Sequence, residues 1–338
     1  MVLEFSMIHA DHRRAALEKW LSIELRAQFG GERFSLTPAS ADASFRRYFR
    51  ATLEGGRSYI AMDAPPEKED CRPFVHVAGL LQQAGVHAPR VHAQDLAQGF
   101  LLLSDLGSAT YLQQLNADNA AALFSDATDA LVRWQLATRA GELPPYDEAL
   151  LRREMQLFPD WYAARHLGME LTPQQSDSLE AIFSILVKSA LAQPKVYVHR
   201  DYMPRNLMVS DPNPGVLDFQ DAVLGPITYD AVSLVRDAFV SWDEQQVLDW
   251  TVRYWERARQ AGLPVQADFG EFWRAFEWMG LQRHLKVLGI FARIHYRDGK
   301  PKYLEDTPRF IRYARDVAKR YAALAPLLRL FDELKCEP

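Results

Sequence analysis

The chain has 338 residues, enough for two lobes or domains rather than one small core. Its 44 acidic against 39 basic residues, a net charge of −5, exclude the basic footprint of a general nucleic-acid or anionic-membrane binder, but not a local site for a small anion. No apolar run reaches the length of a membrane span and no apolar h-region follows the early charges of the N-terminus, so a cytoplasmic protein is expected. Cys71 and Cys336, the only cysteines, lie far apart in no metal-ligand spacing and read as free thiols in a reducing compartment.

In chain order, residues 11–29 place Leu17, Trp20, Leu21, Ile23 and Leu25 at roughly helical spacing, and "GG" ends the run. Strands are predicted at 34–40, 45–53 and 57–64, with "EGG" as a tight turn between the last two. A helix is predicted over 71–85, with Pro73 in its first turn and Gly85 at its end. Two more strands follow in "RVHAQD" and "GFLLLSDLG". After Gly107 the spacing is helical over 108–138, 147–166, 172–192, 227–239, 243–261, 268–295 and 305–332. The interruption at 195–219, with short strands in "KVYVH", "LMVS" and "GVLDF", is therefore a local exception and a candidate site.

That exception contains "HRDYMPRN" at 199–206, of the form H-R-D-x-x-x-x-N, and then "LDFQD" at 217–221. Asp201 and Asn206 fall on a loop between strands, and one further hairpin brings Asp218 back. Phosphoryl transfer uses this set of groups: a carboxylate to accept a hydroxyl proton, and a carboxylate and an amide oxygen to hold Mg²⁺ on the phosphates of ATP. Each residue alone reads as a turn or strand-end residue; the three in order read as a site. Asp221 is a weaker metal candidate. Asp230 reads as the cap of the next helix and a brace for the loop.

"VHRDYMPRNLMV" and "GVLDFQDAVLGPITYD" resemble the aminoglycoside phosphotransferase and choline kinase superfamily. "DASFRRYFR", "MDAPPEKEDCRPFV", "LLRREMQLFPDWY" and "QRHLKVLGIFARIHYRDGKPKYL" resemble one branch of it, the bacterial amino sugar kinases of cell-wall recycling. The resemblance implies an α+β, protein-kinase-like, two-lobed fold. Residues 1–104 would form an antiparallel-sheet N-lobe that binds nucleotide, and residues 105–338 a mainly helical C-lobe with the catalytic loop, metal site and acceptor pocket. It also implies ATP and Mg²⁺ as cofactors, and phosphorylation of the C1 hydroxyl of N-acetylmuramate and N-acetylglucosamine for peptidoglycan recycling. Asp201 matches the catalytic aspartate, and Asn206 and Asp218 the magnesium ligands. Ser104, Asp105 and Leu106 match the hinge that holds adenine. Ser44, Phe45, Arg46 and Arg47 fall where a hairpin covers the phosphates.

The glycine-rich loop and the third-strand lysine of protein kinases are not present; Met62 stands near the lysine's place. Arg46 or Arg47 could meet the phosphate charge in its stead, or could be strand-surface charge; strand alternation points them to opposite faces. No long segment separates Asp218 from the next helix, which leaves no platform for a peptide and points to a small acceptor. Arg205, Glu154, Trp161 and His284 are candidate acceptor contacts. Trp161 at helical spacing is equally a core residue, and Arg283, Lys286 and Arg293 offer further cations. Neither a nucleic acid nor a protein partner is evident. Another small hydroxyl acceptor, such as an aminoglycoside or choline, and a non-catalytic nucleotide-binding regulator remain as alternative readings.

Overall fold

The computed structural model describes residues 2–30, 33–40 and 45–338, with side chains from residue 12 onward except at residue 40. The chain divides into two compact units, one of residues up to Ala109 with Met208–Asp221, the other of Thr110–Leu207 with Ala222–Pro338. The first unit thus differs from the expected 1–104: it runs a little further and takes in the segment that carries Asp218.

In the first unit, helix α1 (Val2–Phe29) precedes strands β1 (Phe34–Ser40), β2 (Arg47–Leu53) and β3 (Ser58–Asp63). Helix α2 (Arg72–Gln83) then leads to β4 (Val91–Asp95) and β5 (Phe100–Ser104). The five strands form one antiparallel sheet in the order β1-β2-β3-β5-β4. Phe49, Ala51 and Leu53 alternate inward along β2 and pack with Tyr59, Ala61, Phe100 and Leu102 against Leu17, Trp20, Leu21 and Leu25 of α1. Gly99 makes the entry to β5 possible. Its φ is +73°, and a Cβ there would stand 1.8 Å from the Ala64 carbonyl oxygen.

The second unit is mostly helical. Its helices are α3 (Tyr111–Gln114), α4 (Ala120–Leu136), α5 (Glu148–Met155), a π-helical turn at Phe158–His166, α6 (Pro173–Leu191), α7 (Tyr229–Val235), α8 (Glu244–Gln260), α9 (Phe269–Asp298), α10 (Thr307–Arg320) and α11 (Ala325–Glu333). Between α6 and α7, β6 (Lys195–Val198) pairs antiparallel with β7 (Val223–Pro226). Among the described residues, no helix is long and apolar enough to cross a membrane.

Three segments depart from the periodicity reading for local reasons. The single helix expected over 108–138 breaks because the Asn116 side chain accepts the backbone N–H groups of Asp118 and Asn119 and closes a turn. The helix expected over 147–166 widens into a π-helix after Met155, where Pro159 has no N–H to give. There Leu157 approaches α9 so closely that a Cβ on Gly289 would lie 2.2 Å from its carbonyl carbon. The strands expected in "LMVS" and "GVLDF" shrink to Leu207–Met208 and Gly215–Val216, since Pro212 and Pro214 between them carry no donor for a longer ladder.

Candidate active site

Asp201 follows β6 on a loop whose every neighbour is tied down. The Asp230 carboxylate, fully buried on α7, accepts the backbone N–H of His199 at 2.7 Å and of Arg200 at 3.0 Å. The backbone N–H of Asp201 donates to His199 Nδ1 at 3.2 Å, and the buried Tyr202 hydroxyl donates to the Ala127 carbonyl at 2.7 Å. Asp201 itself is half-buried. The Asn206 side-chain N–H donates to the Asp201 carbonyl at 2.9 Å, which turns the carboxamide nitrogen to the loop backbone and makes its oxygen the end suited to a cation. Burial lifts the Asp230 carboxyl to about 7, against the lowering effect of the two N–H donors and Arg283. The expectation that Asp230 caps α7 is corrected: its side chain is spent on the loop, and α7 has no side-chain cap.

Arg200 adopts a left-handed backbone with φ +76°, a conformation that costs a long side chain about 1–2 kcal/mol. Its carbonyl accepts from Arg283 Nη1 at 2.9 Å, and its Nη2 donates to Glu154 at 2.5 Å. Glu154 is buried and also accepts from Lys286 Nζ at 2.8 Å, from the Tyr146 hydroxyl and from Gln282. Burial would raise its carboxyl, but Lys286 and then Arg200 outweigh that and hold it at about 2. Lys286 also donates to the Tyr229 hydroxyl at 3.0 Å.

In the first unit, Asp218 is the second site residue with a left-handed backbone, at φ +62°. An aspartate tolerates that conformation far better than an arginine does. Its Oδ1 accepts from Gln220 at 2.9 Å, and Phe219 beside it is buried against Phe74 at 4.7 Å between ring centroids. Arg46 is ion-paired with Glu69 at 3.4 Å and lies near enough to Asp218 for their charges to interact. Arg47 points elsewhere: with Arg13 it grips the fully buried Asp63. The two arginines thus part as strand alternation requires. Met62, near the expected lysine, is fully buried opposite Tyr48.

The remaining expected contacts are placed as follows. Ser44 lies outside the described residues. Phe45 is exposed, with Lys68 over its ring at 5.5 Å. The Ser104 hydroxyl accepts from the Arg90 N–H, Leu106 is buried, and the Asp105 carboxylate takes Arg50 at 2.6 and 3.1 Å together with the Gly107 N–H. The Asp105 side chain is therefore an anchor for the connector. Arg205 stacks over Phe239 at 5.0 Å, and Trp161 is half-buried on the π-helix. Two acceptor assignments are revised. Glu154 is buried among Arg200, Lys286 and Tyr146, and His284 is buried against Phe310 and Tyr313, its imidazole held well toward the neutral form by burial and then by Arg236 and Arg283. Neither presents a surface to a sugar.

Asp63, Arg50 and Tyr146 were missed from sequence, as were the partners of Lys286. Asp63 and Lys286 carry a signal that could have found them. Each is a charge set in an apolar run, "YIAMDA" and "HLKVLGIF", where burial demands a partner.

The model of the phosphotransferase enzyme family matches residues 35–265. The chain is 57% identical over 331 residues to an N-acetylmuramate/N-acetylglucosamine kinase of Pseudomonas aeruginosa, covering 96% of this chain and 97% of that protein. To the protein of the same name from Neisseria meningitidis serogroup B it is 51% identical, covering 95% and 96%. Among solved structures, an amicoumacin kinase in complex with AMP-PNP and Ca²⁺ matches with a TM-score of 0.63 at 14% identity, over 93% of this chain and 96% of that one, a likeness of fold.

Proposed function

The chain belongs to the phosphotransferase enzyme family, and from that premise we propose that it transfers the γ-phosphoryl group of ATP to the anomeric (C1) hydroxyl of N-acetylmuramate and N-acetylglucosamine. The products would be sugar 1-phosphates for reuse in peptidoglycan precursors. The observation that carries this reading is the 57% identity over nearly the whole chain to a kinase named for these two sugars. Dependence on ATP sets the reaction in the cytoplasm.

In this reading Asp201 orients the sugar hydroxyl and accepts its proton. An anomeric hydroxyl is more acidic than an ordinary alcohol, so a weakly basic carboxylate is enough, and the larger part of its task is alignment. Asn206 and Asp218 offer the hard amide and carboxylate oxygens that suit Mg²⁺, which binds through one or two protein ligands plus substrate phosphates. When bound, the ion would offset charge on the phosphoryl oxygens. Arg46 would stand in for the third-strand lysine: it lies near enough to Asp218 for their charges to interact, and a guanidinium binds phosphate in a fork. The backbone of residues 104–106 receives the adenine, while Arg205 and Trp161 remain the acceptor contacts. In this assignment the strand-rich unit binds nucleotide and the helical unit the sugar.

A panel of acceptors with ATP tests the proposal. N-acetylmuramate and N-acetylglucosamine should release ADP at rates well above those for aminoglycosides or choline. A preference for an aminoglycoside or an amine alcohol would overturn it.

A further inference from the structure

We propose that Glu154 and Lys286 are positioning residues for catalysis, acting on Asp201 through the side chain of Arg200. The inference rests on the kinase reading above and extends it to a device that the motif does not contain.

Arg200 immediately precedes Asp201, and its φ of +76° directs the chain into the loop. Glycine would hold this backbone without strain, whereas arginine holds it only against a cost. The side chain must therefore contribute something that glycine cannot. Its guanidinium donates to Glu154, lies over the Tyr146 ring at 5.9 Å and is 20% exposed. Glu154 is in turn fixed from a third direction by Lys286 of α9. The link runs from α9 through α5 to the residue beside Asp201, entirely within the helical unit. Arg283 of α9 takes the Arg200 carbonyl directly, so the same helix grips the residue by backbone and by side chain.

The charges agree with this arrangement. Two cations face one buried carboxylate, and both lie near enough to Asp201 to feel its charge. Glu154 thus anchors the Arg200 guanidinium, and with it the strained backbone that leads into Asp201. Without Glu154 that anchor is lost, and Asp201 would align the acceptor hydroxyl less well. In a protein with no long segment after Asp218 to order the loop, this internal pair would hold it in working geometry at all times.

Arg200→Gly tests the inference, because glycine suits the left-handed backbone and removes only the side chain. The expected result is a fall in kcat on the order of ten- to a hundredfold, with KM for ATP and sugar within about twofold under conditions where the variant is fully folded. Arg200→Asn, which also tolerates that backbone, should behave alike. Glu154→Gln should lower kcat similarly, Glu154→Asp should restore part of it, and the double variant Glu154→Gln with Arg200→Gly should be no slower than Arg200→Gly alone. If Arg200→Gly keeps kcat within about twofold of wild type, or if the two losses multiply, the proposal is wrong even though the wild type is an active kinase. A wild type that phosphorylates no acceptor would instead overturn the kinase reading, and this inference with it.

Discussion

Asp230 Oδ1 accepts the backbone N–H of Arg200 at 3.0 Å, and its other oxygen accepts that of His199. One buried carboxylate thus satisfies two consecutive donors on the approach to Asp201. Asp230→Ala would leave both without a partner in a site with no access to water. A loss of stability of about 2–5 kcal/mol is expected, read as a lower midpoint in urea. A change below about 1 kcal/mol would show that the loop holds its course without this carboxylate.

The same carboxyl makes stability depend on pH in a predictable sense. Its folded value, about 7, lies above its unfolded value, so between about pH 4 and 7 the folded state retains a proton that the unfolded state has released. This group therefore disfavours folding increasingly as pH rises through that window, by up to about 4 kcal/mol. Relative to Asp230→Asn, the wild type should lose stability from pH 4 to 7. A difference that stays flat across the window would refute the assignment.

Glu154 has the opposite sign. Its folded value of about 2 lies below the unfolded one, so its contribution is complete above about pH 4.5 and is lost as pH falls toward 2. The advantage of the wild type over Glu154→Gln should shrink by about 3 kcal/mol across that fall. Urea unfolding at several acidic pH values measures it, and an advantage that grows on acidification would contradict the pairing with Lys286 and Arg200.

Arg46 and Arg47 should separate by phenotype although they are adjacent. Arg46→Met removes the cation near Asp218 and should raise KM for ATP on the order of tenfold. Arg47→Met takes away one of two arginines on the buried Asp63 and should cost on the order of 1 kcal/mol of stability, with KM for ATP little changed. Steady-state kinetics and thermal unfolding of the two variants, compared side by side, would expose a reversal.

How much of this could be read from the sequence followed the range of the interactions. The five strands of the first unit came from period-two patterning and turn residues, which act over a few positions; their order in the sheet, set by pairing between distant segments, did not. The H-R-D-x-x-x-x-N loop and "LDFQD" stood out because the pattern lies within two short stretches of chain, and the structure places both outside long helices. The fate of Glu154 was not: its partners Tyr146, Arg200 and Lys286 come from three separate stretches of chain, and nothing local to "RREMQ" announces them. His284 misled for a related reason, since a polar residue on α9 reads as available until packing against Phe310 and Tyr313 encloses it. The π-helix at Phe158–His166 was hidden because helical spacing alone does not distinguish α from π turns.

Transfer to C1 rather than to another hydroxyl is the central claim, and the position of phosphate on the product tests it most directly. After reaction with ATP and N-acetylglucosamine, the sugar product should no longer reduce an alkaline oxidant, and its phosphate should be released by mild acid. A phosphorylated product that still reduces would place the phosphate on a different oxygen and contradict the account.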